Sequence, residues 1–225
     1  MIVEPHPFAA EEYKDCTRCP LCETRDKLVL GVGDHHADVM VFGEGPGPSE
    51  DEKGLPFIGP SGAMLNKVFK LLGWRRDDLF LDNVVACWPC QETEERWITR
   101  KPVKEEIMAC RLRVTETIRQ VDPLAIIALG GSALYGLTGD PTKITKARGE
   151  LFFAHVPGVY KSISYPVFPT FHPAYILRQG EREGMGEIDG NEPPVRGPDS
   201  PMSLFKRDLV YVRNYINSIN SMYGR

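Results

Sequence analysis

A chain of 225 residues, 42% hydrophobic and 26% charged, can bury one α/β core, and no apolar run in it approaches the ~18–20 residues of a membrane helix. Its first residues are acidic and too polar for a secretory signal, so the expectation is a cytoplasmic protein that keeps its six cysteines reduced. The net charge of −4 resides entirely in residues 179–200, where six acids meet two bases; the body is neutral with basic stretches at 96–119 and 143–148, so a polyanionic partner is not excluded.

In chain order, residues 8–15 are expected to form a short helix. Cys16, Cys19 and Cys22 follow as two Cys-x2-Cys steps sharing the middle residue. A tight turn can aim two such thiolates at one point, so the spacing suits zinc, an iron–sulfur cluster or no metal at all, and three thiols leave a four-ligand site incomplete. Residues 37–42 read as the first clear strand. The loop over 43–59 is rich in Gly and Pro and carries Glu44, Glu50 and Asp51. Residues 61–72 show the helical period, with Met64, Leu65, Val68, Phe69, Leu71 and Leu72 on one broad face and Gly73 ending it. Ligands of α/β sheets bind at the carboxyl ends of strands, and loops beyond ~12–15 residues are uncommon and often functional. The loop is therefore a candidate site, the plain alternative being a surface loop with solvated acids. It is not a Walker loop, because no Gly-Lys-Ser/Thr follows.

Residues 79–85 are the next strand, broken by Asp82-Asn83, which reads either as a bulge or cap or as a ligand contact. Cys87-x2-Cys90 is a second thiol pair. Pro102 opens a helix expected to run to residue 120; Cys110 lies inside it, by default a buried structural thiol. Residues 124–129 are wholly apolar, as in a buried parallel strand, and Gly130-Gly131-Ser132 lead into a short helix. A basic loop at 143–150 contains Arg148-Gly149. Strands are expected at 151–155 and 164–170. His172 follows the latter, either as a satisfied structural histidine or as a site residue. Residues 179–201 form a Gly/Pro/acid-rich connector, expected to be mobile, before a terminal helix at 203–219. The expectation is one domain over 1–225, a three-layer α/β/α fold with a mainly parallel central sheet. Glu44, Asn83 and His172 each follow a different strand and can meet in one crevice.

With these pieces in order, the chain resembles the family 4, iron–sulfur uracil-DNA glycosylases over most of its length, from Cys16 to Arg178. The residues carrying the resemblance are Cys16-x2-Cys19-x2-Cys22-x2-Arg25, Gly43-Glu-Gly-Pro-Gly47-x2-Glu50-Asp51, Gly54-x-Pro56-Phe57-x-Gly59, Asn83-Val-Val-x-Cys87, Cys110, Arg148-Gly149 and His172-Pro-Ala-Tyr175-x-Leu177-Arg178. The resemblance implies a uracil-DNA glycosylase-like fold and a structural [4Fe–4S] cluster on Cys16, Cys19, Cys87 and Cys110. Cys22 would be a spare cysteine, and Cys90 stands where the family usually has proline. It further implies a monofunctional enzyme of base-excision repair, a monomer acting on uracil in single- and double-stranded DNA and independent of membranes. It would hydrolyse the N-glycosidic bond of a flipped-out deoxyuridine and leave an abasic site.

In that frame Phe57 would stack on the base, and Asn83 would read its edge, accepting from N3–H and donating to O4. His172 would stabilise the charge developing on O2. Gly45 fills the slot where the best-known members of the superfamily carry a water-positioning aspartate, which leaves Glu44, Glu50 or the backbone for that task. Gly47 is too small to exclude the thymine methyl, so Glu50 is expected to fill that space. Arg148 and Arg178 would meet phosphates, and Tyr175, Ile176 or Leu177 would fill the gap left by the base. One branch of the superfamily traps its product on a histidine; Thr99 stands there in this chain, so turnover is expected. The alternatives are an iron–sulfur DNA-binding protein of this fold that is non-catalytic or acts on another deaminated base, and a zinc-thiolate structural protein.

Overall fold

The computed structural model describes residues 12–158, 160–182 and 199–224. Most of the expected connector, 183–198, and residues 8–11 of the expected first helix lie outside the described residues.

Among the described residues there are eight strands: β1 (Val32–Gly33), β2 (Val39–Gly43), β3 (Phe80–Asn83), β4 (Cys90–Glu92), β5 (Trp97–Thr99), β6 (Ala125–Leu129), β7 (Phe152–Val156) and β8 (Ile163–Thr170). Six of them make one sheet in the order β1-β3-β2-β6-β8-β7. Its centre, β3-β2-β6-β8, is parallel, and β1 and β7 close the edges antiparallel. Central strands covered on both faces need apolar residues on both, which is why β2 and β6 read as unbroken apolar runs.

Alternation along β2 assigns the two faces. Met40 and Phe42 join Ile118, Leu134 and Leu137, carried by the helices α3 (Lys104–Val121) and α4 (Gly131–Thr138). Val39 and Val41 join Leu65, Phe69, Phe205 and Leu209, carried by α2 (Pro60–Leu71) and α7 (Pro201–Tyr223). Burying a Leu or Phe side chain contributes about 1.5–3 kcal/mol, and a one-residue slip would exchange the two sets of partners, so the register is strongly fixed. The fold is the expected three-layer α/β/α arrangement.

Four elements differ from expectation. The long loop contains a helix, α1 (Pro48–Lys53), with Pro at its start and Gly54 (φ +76) ending it. It lacks an apolar stripe because the residues it buries are Glu50 and Asp51. A polar two-stranded hairpin, β4–β5, stands apart from the main sheet. The basic loop holds one turn of helix, α5 (Ile144–Ala147). Residues after His172 form α6 (Pro173–Arg182), so the stretch read as connector begins helical.

Candidate active site and cysteine centre

The parallel register brings the functional candidates to one end of the sheet. Gly43 pairs with Asn83, and Leu129 with Thr170, so Glu44, Asn83, Gly130 and His172 all lie at carboxyl ends of neighbouring strands. They line a cavity of ≈ 570 Å³ together with Gly45, Gly47, Glu50, Phe57, Tyr175 and Arg178. Thr99, Arg100 and Lys101 reach the same cavity from the hairpin.

Asn83 is buried, and its carboxamide makes no hydrogen bond to a described residue, so both its donor and its acceptor remain available to the cavity. Phe57 packs beside it. A Cβ at Gly43 would overlap both Asn83 Oδ1 and the Phe57 ring, so only glycine lets the two side chains meet there. Phe57 is itself held at φ 56, a left-handed conformation that costs an aromatic residue and persists only when its surroundings enforce it. Arg76 supplies one restraint, donating to the carbonyls of Pro56 (2.8 Å) and Phe57 (3.2 Å).

Glu50 supplies the other. Its Oε1 accepts from the amides of Ile58 (3.1 Å) and Gly59 (2.8 Å), and its Oε2 from Gly47 (3.2 Å). A carboxylate committed to three amides is a loop clamp. This structural role stands beside the expected ones, for Glu50 also lines the cavity next to Gly47. Glu50→Ala is expected to destabilise the protein by about 1–3 kcal/mol per donor left unsatisfied; urea unfolding, with faster hydrogen exchange at Ile58 and Gly59, checks this.

His172 accepts a hydrogen bond at Nδ1 from the Ala174 amide at the start of α6 (3.1 Å). The proton of the neutral ring is therefore on Nε2. Burial, reinforced by the charges of Arg178 and Lys101, pushes its pKa down to about 4, so it is neutral at pH 7. Glu44 accepts from the Ser132 hydroxyl at 2.5 Å. At Gly45 a Cβ would stand 3.0 Å from the Pro89 ring, so no side chain enters that slot without displacing Pro89.

Two expectations are corrected. Arg148 does not reach the cavity: its guanidinium grips Asp208 (2.6 and 3.1 Å) and lies over the Phe171 ring, while Asp208 also accepts from Thr170 (2.7 Å). It fastens α7 to the end of β8, with two of its nitrogens committed to Asp208. Ile176 is buried in the core, which removes it as a wedge; Tyr175, its ring 5.1 Å from that of Phe171, and the half-buried Leu177 remain.

The second cluster lies behind Asn83. Cys16, Cys19, Cys22, Cys87 and Cys110 line a common cavity with Arg25 and Arg113. Arg25 donates to the Cys16 carbonyl (2.8 Å) and to Cys87 Sγ (3.4 Å). Burial pushes the Cys87 thiol up to about 11, against the pull of Arg25, and also raises Cys19. Cys90 faces elsewhere, its Sγ 3.5 Å from Thr24 Oγ1. Among the described residues no three His, Cys, Asp or Glu side chains converge closely enough to hold a single metal ion.

A family model described as the uracil DNA glycosylase superfamily matches residues 30–188. A type-4 uracil-DNA glycosylase of Thermotoga maritima is 37% identical over 78% of this chain and 85% of its own. Those of Pyrobaculum aerophilum (36%, covering 80% and 88%) and Saccharolobus solfataricus (35%, covering 75% and 75%) are similarly related. The chain belongs to the type-4 branch of the uracil-DNA glycosylase superfamily.

Reasoning from the sequence missed several residues of this glycosylase fold. Ser132 was visible only as a helix-starting serine, 88 residues from Glu44. Arg76 looked like part of a polar turn. Arg113 was hidden in the amphipathic pattern of α3, yet it is buried and donates to Asp82 Oδ2 (2.6 Å) and to the Asn83 carbonyl. The only local hint was Asp82 itself, a charge inside an apolar strand that required a buried partner.

Proposed function

We propose that the protein is a monofunctional uracil-DNA glycosylase of base-excision repair, which hydrolyses the N-glycosidic bond of a flipped-out deoxyuridine. The observation that carries this reading is the buried, unengaged Asn83 carboxamide beside the Phe57 ring, in one cavity with a neutral His172. Phe57 stacks on the uracil face. Asn83 accepts from N3–H and donates to O4. Cytosine inverts both polarities at that edge and would leave buried groups unpaired, a strong basis for rejection.

As the C1′–N1 bond breaks, its electron pair moves onto the uracil and toward O2. His172 Nε2–H is the donor for that anion, and its low pKa lets it serve as a neutral electrophile across the working pH range. Glu44 orients the water that attacks C1′: it lines the cavity, and the Ser132 hydroxyl engages only one of its two oxygens. Lys101 and Arg178, at the cavity mouth, are the cations placed for flanking phosphates. Tyr175 is the aromatic placed to fill the vacated stack.

We also propose that Cys16, Cys19, Cys87 and Cys110 hold a [4Fe–4S] cluster. These four thiols come from three segments and line one cavity together with Cys22, and in such a ligand set each thiolate would bind a different iron. When bound, the cluster supplies a cross-link between the N-terminal segment, the loop after β3 and α3.

The experiment is excision from labelled oligonucleotides carrying one uracil, single-stranded or opposite G or A, followed by alkali, with iron and zinc measured on the same preparation. Cleavage at uracil and not at thymine, by iron-loaded protein, is the expected result. No cleavage by iron-loaded protein would move the assignment to another base or to a non-catalytic role. Asn83→Asp is expected to lose uracil and to admit cytosine weakly; an unchanged preference would remove Asn83 as the edge reader.

A further inference from the structure

We infer that Ser132 is a positioning residue for the hydrolytic step, acting through Glu44; this rests on the reading of the cavity as the glycosylase site. Glu44 leaves β2 on one residue of backbone and points into a cavity wide enough for a nucleotide. Nothing in its own loop holds it, because that loop is organised by Glu50. The restraint comes from across the sheet. Gly130 (φ +93) turns the chain sharply out of β6, and Ser132 then stands in the first turn of α4, half-buried. Its hydroxyl is not used to cap the helix but donates to Glu44 Oε2 at 2.5 Å.

Two consequences follow from this one bond. A hydroxyl donating to a carboxylate is among the stronger and more directional hydrogen bonds, so it selects one rotamer of Glu44. With Oε2 engaged, Oε1 is the oxygen left to accept from water. In the step this serves, the water oxygen bonds to C1′ as C1′–N1 breaks. The glycosidic pair leaves on uracil, and the proton lost by the water passes to Glu44. The proton returns to the uracil anion through solvent, so no further reactant is required. Orientation of the nucleophile is where small displacements cost most.

The test is single-turnover excision and steady-state kinetics on a uracil oligonucleotide for wild type, Ser132→Ala, Ser132→Thr, Glu44→Ala and the Ser132→Ala/Glu44→Ala double variant. Ser132→Ala is expected to lower kcat about tenfold, equivalent to about 1.4 kcal/mol, with KM unchanged. Ser132→Thr, which keeps the hydroxyl, restores the rate. Adding Ser132→Ala to Glu44→Ala has no further effect. Ser132→Cys, nearly isosteric with a weak donor, falls between and serves if the alanine variant does not fold. A Ser132→Ala rate within twofold of wild type, losses that multiply in the double variant, or a change confined to KM would overturn the inference. An impaired Glu44→Ala beside an unaffected Ser132→Ala overturns Ser132 alone. An unaffected Glu44→Ala overturns the role of Glu44 as well. Wild-type protein inactive on every uracil substrate overturns the functional reading itself.

Discussion

Replacing His172 by alanine is expected to slow uracil excision by about 10²–10³-fold, the usual loss when one preorganised donor to a developing anion is removed. The geometry makes the effect fall on kcat. His172 is held by the Ala174 amide at Nδ1, so its only free function is the Nε2–H, and that proton matters most when charge accumulates on O2. A change below about tenfold in single-turnover rate would remove His172 from the site. The pH dependence has a definite sign. With a pKa of about 4, the ring stays neutral through the physiological range, and the wild-type rate should fall only as the pH drops toward 4. Stability follows the same group. The folded ring titrates near 4 and the free ring near 6.5, so between these values the unfolded chain binds more protons. His172 therefore lowers stability progressively as the pH falls from 6.5 to 4. The alanine variant should lose less stability over that interval, a difference that thermal melts at pH 7 and pH 4.5 would register.

The parts of this site legible in the sequence are those where chemistry sits next to a strong local pattern. Glu44 and His172 each follow, and Asn83 ends, an apolar run that could only be a strand, and a parallel sheet brings such positions together whatever else the chain does. Side-chain partnerships were not legible. The Ser132–Glu44, Arg148–Asp208 and Arg113–Asp82 contacts span 88, 60 and 31 residues. Periodicity reports which face a residue occupies, not which residue meets it there. That is why Arg148, in a basic stretch, looked like a phosphate ligand, and why Glu50 was not legible as a loop clamp. Helix α1 was missed for a related reason: helices are recognised by what they bury, and this one buries two carboxylates. Glu50 turns to the Phe57 loop, and Asp51 accepts from the Asp26 amide (3.0 Å), so one short helix ties the cysteine segment to the base pocket.

Arg113 makes the same connection on the other side of Asn83, and its loss should have the largest effect on the fold. Arg113→Met is expected to destabilise the protein by about 3–5 kcal/mol, because it leaves the Asp82 carboxylate buried without its counter-ion. Burial already pushes the Asp82 carboxyl upward and Arg113 opposes this, so in the variant Asp82 is driven to take up a proton. The double variant Asp82→Leu/Arg113→Met separates charge from position. Removing both charges should recover most of the stability, since a buried pair is often matched by apolar residues of similar volume. It should not recover uracil selectivity. The Asn83 carbonyl still lacks the guanidinium that fixed it, and an unsatisfied buried acceptor costs about 1–3 kcal/mol, which relaxation of the backbone at Asn83 can relieve. Urea unfolding and the ratio of uracil to cytosine excision thus respond to different halves of the same residue. A double variant that regained both stability and discrimination would reduce Arg113 to a counter-ion. One that regained stability alone would make it the strut that holds the base reader against the cysteine centre.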